Sequence, residues 1–265
     1  TEVLEKSVKG IDKIIHLAGI VGDPACAVNA SLAIDVNERA TKNLAIIAKK
    51  NGINDFIFAS TCSVYGASDN DQLSETSILN PVSLYAETKL HSESDLMSLA
   101  DENFNVTIMR LGTIFGLSPR MRFDLVINFL TKKLLLTGDG KIFGGSQWRP
   151  FVNVDDVATA ICLILESPIS LRHNEIFNIG TTDQNFQLKD IGQILEKVFP
   201  DASVDYLEEI KDKRSYNVSF KKFENTFNFK SKHTIKSAVV NMKNAIESGL
   251  INNPDDKKYM NYNAE

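Results

Sequence analysis

Hydrophobic residues fall into two periods along this chain. Residues 13–17 are a short β-branched run that stops at Ala18-Gly19, the pattern of a buried strand running into a loop. Residues 35–50 carry Val36, Ala40, Leu44, Ile47 and Ala48 at helical spacing and then meet Gly52, a stop signal. A second buried strand is predicted over 56–59, a helix after Pro81 over 84–100, and a third strand over 106–111. Strand, helix, strand, helix, strand at these spacings indicates a parallel sheet with right-handed crossovers. Past Leu111 the rhythm loosens. Helices are predicted over 123–133, 156–166, 188–198 and 235–246 and strands over 150–154 and 175–179, with a Gly-rich stretch over 138–146. The expected fold is α/β, a doubly wound parallel sheet whose second half carries a smaller, mostly helical cap over the open strand ends.

At 265 residues and 43% hydrophobic, the chain can fill one large domain or two small ones. Its 29 Lys+Arg against 34 Asp+Glu leave a net charge of −5, which gives no footprint for nucleic acid or an anionic membrane surface. No apolar run approaches the roughly 18 residues a membrane span needs. Cys26, Cys62 and Cys162 are an odd, scattered set without CxxC spacing, which argues against a disulfide framework or zinc site and fits a cytoplasmic location. His91, His173 and His233 lie apart, so no metal is expected.

A nucleotide-binding sheet ordinarily opens with a strand, a Gly-rich turn and a helix whose first amides hold the pyrophosphate. No GxGxxG occurs here, the chain starts at Thr1, and the first methionine is Met97. The phosphate-binding turn, and the residue that separates NAD from NADP, are therefore expected ahead of Thr1.

Tyr85 and Lys89 stand at i and i+4, one turn apart on one helix face. A tyrosine must fall from its ordinary value of about 10 to act as a base at neutral pH, and a fixed cation beside it has that effect. Alone, the pair reads equally well as a surface contact. It follows a strand that ends in a hydroxyl cluster, Ser60-Thr-Cys-Ser-Val-Tyr-Gly66, and the carboxyl ends of parallel strands face the ligand crevice.

With His16-Leu-Ala-Gly19, Asn37, Arg110-Leu-Gly-Thr-Ile-Phe-Gly116 and Arg149-Pro-Phe-Val-Asn-Val-Asp-Asp156, these motifs resemble the extended short-chain dehydrogenases/reductases that modify sugar nucleotides. The resemblance implies a Rossmann-like core over 1–111 and 150–181, with its first strands missing, and a substrate cap over 112–149 and 182–265. It implies Thr61, Tyr85 and Lys89 as catalytic residues. Leu17, Ala18, Gly19, Asn37 and Ser60 would join Tyr85 and Lys89 around NAD, with NADP left open. Ser63, Thr113, Arg120, Arg122, Asn128, Arg149 and Arg214 would join Thr61 around a nucleotide-diphosphate sugar, Arg149 and Arg214 toward the diphosphate. A homodimer through the 35–50 and 84–100 helices is also implied, and segment 139–145 resembles a turn near the nucleotide base.

The activity implied is epimerisation, at carbon 4 through a 4-keto intermediate. A net 4-dehydrogenase or 4-ketoreductase would use the same residues, and a non-catalytic homologue that binds nucleotide sugar is the alternative of another class. Cys62-Ser63 stands where 4,6-dehydratases of this family place Asp-Glu, which disfavours dehydration, and Thr113 stands where many 4-epimerases place Asn. Asp155-Asp156 reads as a helix N-cap and Trp148 as packing or as a wall of the sugar site.

Overall fold

In the computed structural model, which describes residues 2–68, 72–209, 212 and 214–261, the first elements are α1 (Glu2–Ser7), β1 (Ile14–His16), α2 (Asp23–Val28), α3 (Ala30–Ile34) and α4 (Ala40–Lys50). Then come β2 (Asp55–Thr61), α5 (Leu84–Leu99), β3 (Asn105–Leu111), β4 (Thr113–Phe115), α6 (Val126–Thr137), β5 (Asp139–Phe143) and β6 (Trp148–Asn153). The chain continues through α7 (Val154–Glu166), β7 (Glu175–Ile179), β8 (Asn185–Gln187), α8 (Leu188–Glu196), β9 (Ser203–Leu207), α9 (Lys221–Phe227) and α10 (Ile235–Glu247).

The main sheet has the order β1-β2-β3-β7, with every neighbouring pair parallel. β2 is buried along its whole length because both faces of the sheet are covered. On one face Phe56, Phe58, Val106 and Ile108 pack with Ala45 and Ala48 of α4 and Leu96 of α5. On the other, Ile57, Met109 and Phe177 pack with Ala160 and Ile164 of α7 and Phe223 of α9. This is the doubly wound arrangement that the alternating periods predicted. The register sets Thr61 beside Leu111 and Leu111 beside Ile179, so these strands end level with one another.

A separate cluster built on Phe115, Phe123, Ile127, Leu130, Ile191, Val239 and Met242 joins α6, α8 and α10. Two small sheets flank it: β6 pairs parallel with β4 and antiparallel with β8, while β5 pairs parallel with β9.

Several boundaries differ from the sequence reading. The segment 139–145, expected from the resemblance to form a turn, contains β5, whose partner β9 lies some sixty residues downstream. Neither strand carries a clean local alternation, so only the long-range pairing reveals them. The helix expected from residue 35 begins at Ala30 and passes through a π turn at Asp35–Arg39 before α4. The N-cap of α7 is Asn153, whose Oδ1 accepts from Asp155 N at 2.9 Å. Asp156 is instead buried in the first turn of α7 and accepts from Ser231 Oγ at 2.6 Å and Lys232 N at 3.0 Å, pinning the segment that leads into α10.

Candidate active site

Thr61 ends β2 in extended conformation, and its Oγ1 accepts from Ser63 N at 3.1 Å, capping the 3-10 turn Cys62–Tyr65. Opposite, Ser83 caps α5 by accepting from Ala86 N at 3.3 Å, and the helix then presents Tyr85 and Lys89 on its buried face. Thr61, Tyr85 and Lys89 line one cavity of about 800 Å³ at the carboxyl ends of the strands. That volume lies within the range of ligand clefts.

Burial pushes the Tyr85 phenol well above its ordinary value; the Arg122 guanidinium and a hydrogen bond with Thr61 pull it back. Thr61 Oγ1 also donates to Ser63 Oγ at 3.1 Å, and Ser63 Oγ lies 3.2 Å from Tyr216 OH. The hydroxyls of Thr61, Ser63 and Tyr216 are therefore linked, and the Tyr85 phenol lines the same cavity. Lys89 Nζ donates to Ala59 O at 2.8 Å and sits 4.6 Å from the centre of the Phe58 ring. Burial lowers its pKa to about 8. The cation that bears on the phenol is thus Arg122 on the cap side, while Lys89 is anchored to the strand.

At the other end of the cavity, Arg149 Nη1 donates to Trp148 O at 2.8 Å and to Arg214 O, and its guanidinium lies 5.5 Å from the centre of the Tyr216 ring. Arg149 Nη2 is buried 2.9 Å from Asp212 Oδ2, an ion pair without an aligned hydrogen bond. Arg214 grips Asp212 through Nε at 2.9 Å and Nη2 at 2.5 Å, and pairs with Asp23 through Nη1 at 2.8 Å. Burial would raise the Asp212 carboxyl, yet Arg214 and Arg149 hold it far below the usual carboxylate range. Arg122 is likewise paired with Asp124.

Leu17, Ser60, Ser63, Thr113, Arg122, Arg149 and Arg214 line the cavity together with the catalytic candidates. Ala18, Gly19, Asn37, Arg120 and Asn128 are not part of its wall. Asn37 is fully buried and clamps the loop after β1, accepting from Ile20 N at 2.7 Å and donating to Ile20 O at 2.9 Å. A Cβ on Gly19 would stand 3.0 Å from Asn37 Oδ1 and 3.6 Å from Lys89 Nζ, so this loop passes very close to the lysine. Asn128 accepts from Gly116 N and donates to Arg122 O, both at 3.1 Å, and so holds the backbone of a lining arginine. Arg120 is turned to Asn261 Oδ1 at 3.0 Å and Met260 O at 3.4 Å, which spends its fork on the C-terminal segment.

Sequence reasoning did not single out Tyr216, Asp212, Asp124 or Leu188 as parts of the site, whereas Ile142 and Phe143 fall in the segment 139–145 that the resemblance set near the nucleotide base. Proximity in sequence to Arg214 and Arg122 was the only available signal for Tyr216, Asp212 and Asp124. Cys62 is fully buried, with Sγ 3.3 Å from Arg110 O, and burial raises its thiol pKa beyond reach. Among the described residues no group of three or more His, Cys, Asp or Glu could hold a metal, and no helix is long and apolar enough to cross a membrane.

Comparison with known proteins places this geometry. The sequence model of the NAD dependent epimerase/dehydratase family matches residues 1–180. An uncharacterized UDP-glucose epimerase YtcB of Bacillus subtilis is 33% identical over 198 residues, 73% of this chain and 61% of that protein. A UDP-glucuronate 4-epimerase of Thermodesulfobacterium geofontis is 30% identical over 71% of this chain and 57% of its own length. The chain thus spans about three fifths of these curated relatives. Among solved structures, a UDP-glucose 4-epimerase with UDP-glucose from Thermotoga maritima superposes with a TM-score of 0.83 at 25% identity, covering 94% of this chain and 82% of that one. A UDP-glucuronic acid 4-epimerase from Bacillus cereus, in complex with UDP-glucuronic acid and NAD, gives 0.81 at 26% identity, with 92% and 78% covered. With the sheet, the Tyr85–Lys89 helix and the Thr61 strand end all in place, the chain belongs to the NAD dependent epimerase/dehydratase family.

Proposed function

We propose that this protein is an NAD-dependent sugar-nucleotide epimerase that inverts carbon 4 through a 4-keto sugar. The observation that carries the reading is the group of hydroxyls Tyr85, Thr61, Ser63 and Tyr216 in one cavity that also holds Lys89 and the Arg149–Arg214 pair. NAD fits the residues present. Leu17 is 53% exposed yet lines the cavity, and the loop at Gly19 has room for little more than a hydrogen beside Asn37. These residues would hold the nicotinamide end, whose chemistry is to take hydride from the sugar carbon and return it. Residues 1–111 and 150–181 serve the cofactor in this reading, and 112–149 and 182–265 the substrate.

Tyr85 Oη takes the proton of the sugar 4-hydroxyl. Thr61 Oγ1 holds that hydroxyl and passes the proton along the same line. Arg122 keeps the phenolate from being prohibitive in a buried site. Arg149 and Arg214 bind the diphosphate with planar forks. Dehydration is disfavoured because Cys62 is buried away from the cavity and the lining carboxylates Asp124 and Asp212 are both tied to arginines. A homodimer through α4 and α5 belongs to the same reading; on these two helices Ile46 is the large apolar residue left exposed.

The test is a panel of nucleotide sugars incubated with protein and NAD, with products identified by NMR. Scrambled configuration at carbon 4 without net NADH supports the epimerase, and NADH accumulating in step with product would make it a 4-dehydrogenase. Tyr85→Phe should lose about two to four orders of magnitude in turnover while still binding nucleotide sugar. A Tyr85→Phe protein of wild-type activity dismisses the assignment.

A further inference from the structure

The buried face of α5 is unusual for a helix packed on a sheet. It consists of Tyr85, Ala86, Thr88, Lys89, Ser92, Glu93 and Leu96, so most of the groups turned inward are polar. An apolar stripe can slide along a sheet with little penalty; directional contacts fix one register. Two of these contacts fall on adjacent residues of β2. Lys89 Nζ donates to Ala59 O at 2.8 Å, and one helical turn later Glu93 accepts from Ser60 Oγ. Glu93 is 3% exposed and Arg110 2%, and Arg110 grips the Glu93 carboxylate through Nε at 3.1 and 3.2 Å and Nη2 at 2.7 Å.

Arg110 is itself fixed from both sides. The register aligns Ser60, Arg110 and Asn178 across β2, β3 and β7. Tyr65 OH bridges the row, accepting from Arg110 Nη1 at 3.1 Å and donating to Asn178 Oδ1 at 2.8 Å. This polar row lies directly beneath Thr61. Glu93 lies behind the cavity wall, as does Arg110, while its other partner, Ser60, is part of that wall.

We propose that Glu93 is a positioning residue: bracketed by Arg110 and bonded to Ser60, it locks the helix that carries Tyr85 and Lys89 to the strand that ends in Thr61. The proposal rests on the catalytic reading given above for those three residues. Without the Ser60 contact, α5 keeps its charge pair with β3 but loses its second rung on β2. Tyr85 and Thr61 then lose their fixed separation, and a misplacement of about 1 Å costs on the order of a hundredfold in turnover.

The decisive variants are Ser60→Ala, which leaves the Glu93–Arg110 pair intact, and Glu93→Gln, which does not. For both we expect kcat to fall about ten- to a hundredfold with KM for the nucleotide sugar changed by less than about threefold. The ionisation of Lys89, followed by the NMR shift of its Cε with Lys89→Arg as the assignment control, should shift in Ser60→Ala, because a reseated α5 alters its contact with Ala59 O, and should fall in Glu93→Gln, which also removes a carboxylate that favours the ammonium. Ser60→Thr restores the hydroxyl and should recover activity to within about threefold. The proposal is overturned if Ser60→Ala keeps kcat within about twofold of wild type, if the loss lies in KM alone, or if the Lys89 midpoint stays put. Should Glu93→Gln fail to fold, as circular dichroism would show, Ser60→Ala alone decides. A wild-type protein that converts no nucleotide sugar would defeat the catalytic reading instead, and the Lys89 titration would still judge the positioning claim.

Discussion

Arg172 and Asp55 form an ion pair in which both side chains are 0% exposed, at the amino ends of the strands and so at the opposite edge from the cavity. Arg172 Nη1 and Nη2 reach Asp55 Oδ1 and Oδ2 at 2.6 and 2.7 Å, with further bonds to Thr107 Oγ1 at 3.3 Å and Ser167 Oγ at 3.2 Å. Arg172→Met keeps the apolar stem and deletes the fork. Removing one partner of a buried pair costs about 3–5 kcal/mol, because the other charge is left uncompensated. Asn105 Nδ2 at 2.9 Å and Lys13 Nζ at 3.4 Å remain on Asp55, and Lys13 is 39% exposed, so the cost should sit near the lower figure. At 2–4 °C per kcal/mol, a loss of about 3 kcal/mol lowers Tm by about 6–12 °C.

The pH dependence gives a second, independent check. Burial would raise the Asp55 carboxyl, but hydrogen bonds from Arg172 and Asn105 and the charges of Arg172 and Lys13 hold it below its ordinary value. That stabilisation is full above the unfolded pKa of about 3.9 and is lost as pH falls through the folded value. In Arg172→Met the burial effect dominates and the carboxyl rises above its unfolded value. Protonation then relieves the buried charge, and the deficit against wild type should shrink between pH 7 and pH 4.5. Thermal unfolding followed by circular dichroism at both pH values measures this, and Asp55→Asn added to Arg172→Met should recover part of the loss at pH 7. A Tm drop under about 2 °C, or a deficit equal at the two pH values, refutes the argument.

Two predictions concern the cavity itself. Asn37→Ala strips Ile20 N and O of their partners, so it should cost about 1–3 kcal/mol in thermal unfolding and weaken NAD in a titration, since the clamped loop runs beside Lys89. Lys89, lowered to about 8 by burial, is charged below that value and neutral above it, so turnover should fall as pH rises through about 8. In a kcat profile Lys89→Arg should move this limb to higher pH, because a guanidinium stays charged. The folded chain gives up the Lys89 proton near 8 and the unfolded chain near about 10.4, so this residue makes stability rise with pH between those values.

The sequence by itself determined whatever a local period can encode. The strand over Glu175–Ile179 appears with the expected bounds, and the helix expected over 84–100 runs from Leu84 to Leu99 with Tyr85 and Lys89 on one buried face. Side chains one turn apart must share a face wherever the helix lies. The motifs around Thr61 and Arg149 likewise located both ends of the cavity, because parallel strands present their carboxyl ends together. Tertiary structure alone decided what those residues touch. It paired β5 with β9, gave Asn37 and Asn128 to backbone clamps, turned Arg120 to the C-terminal segment and brought Tyr216 into the hydroxyl chain. It also joined Ser60 to Glu93 and Arg110, and Asp55 to Arg172, across separations of 33 and 117 residues. Contacts at such separations leave no imprint on hydrophobic periodicity. They depend on how strands and helices stack once chain entropy has been overcome, and a buried polar side chain reveals its partner only after that packing is complete.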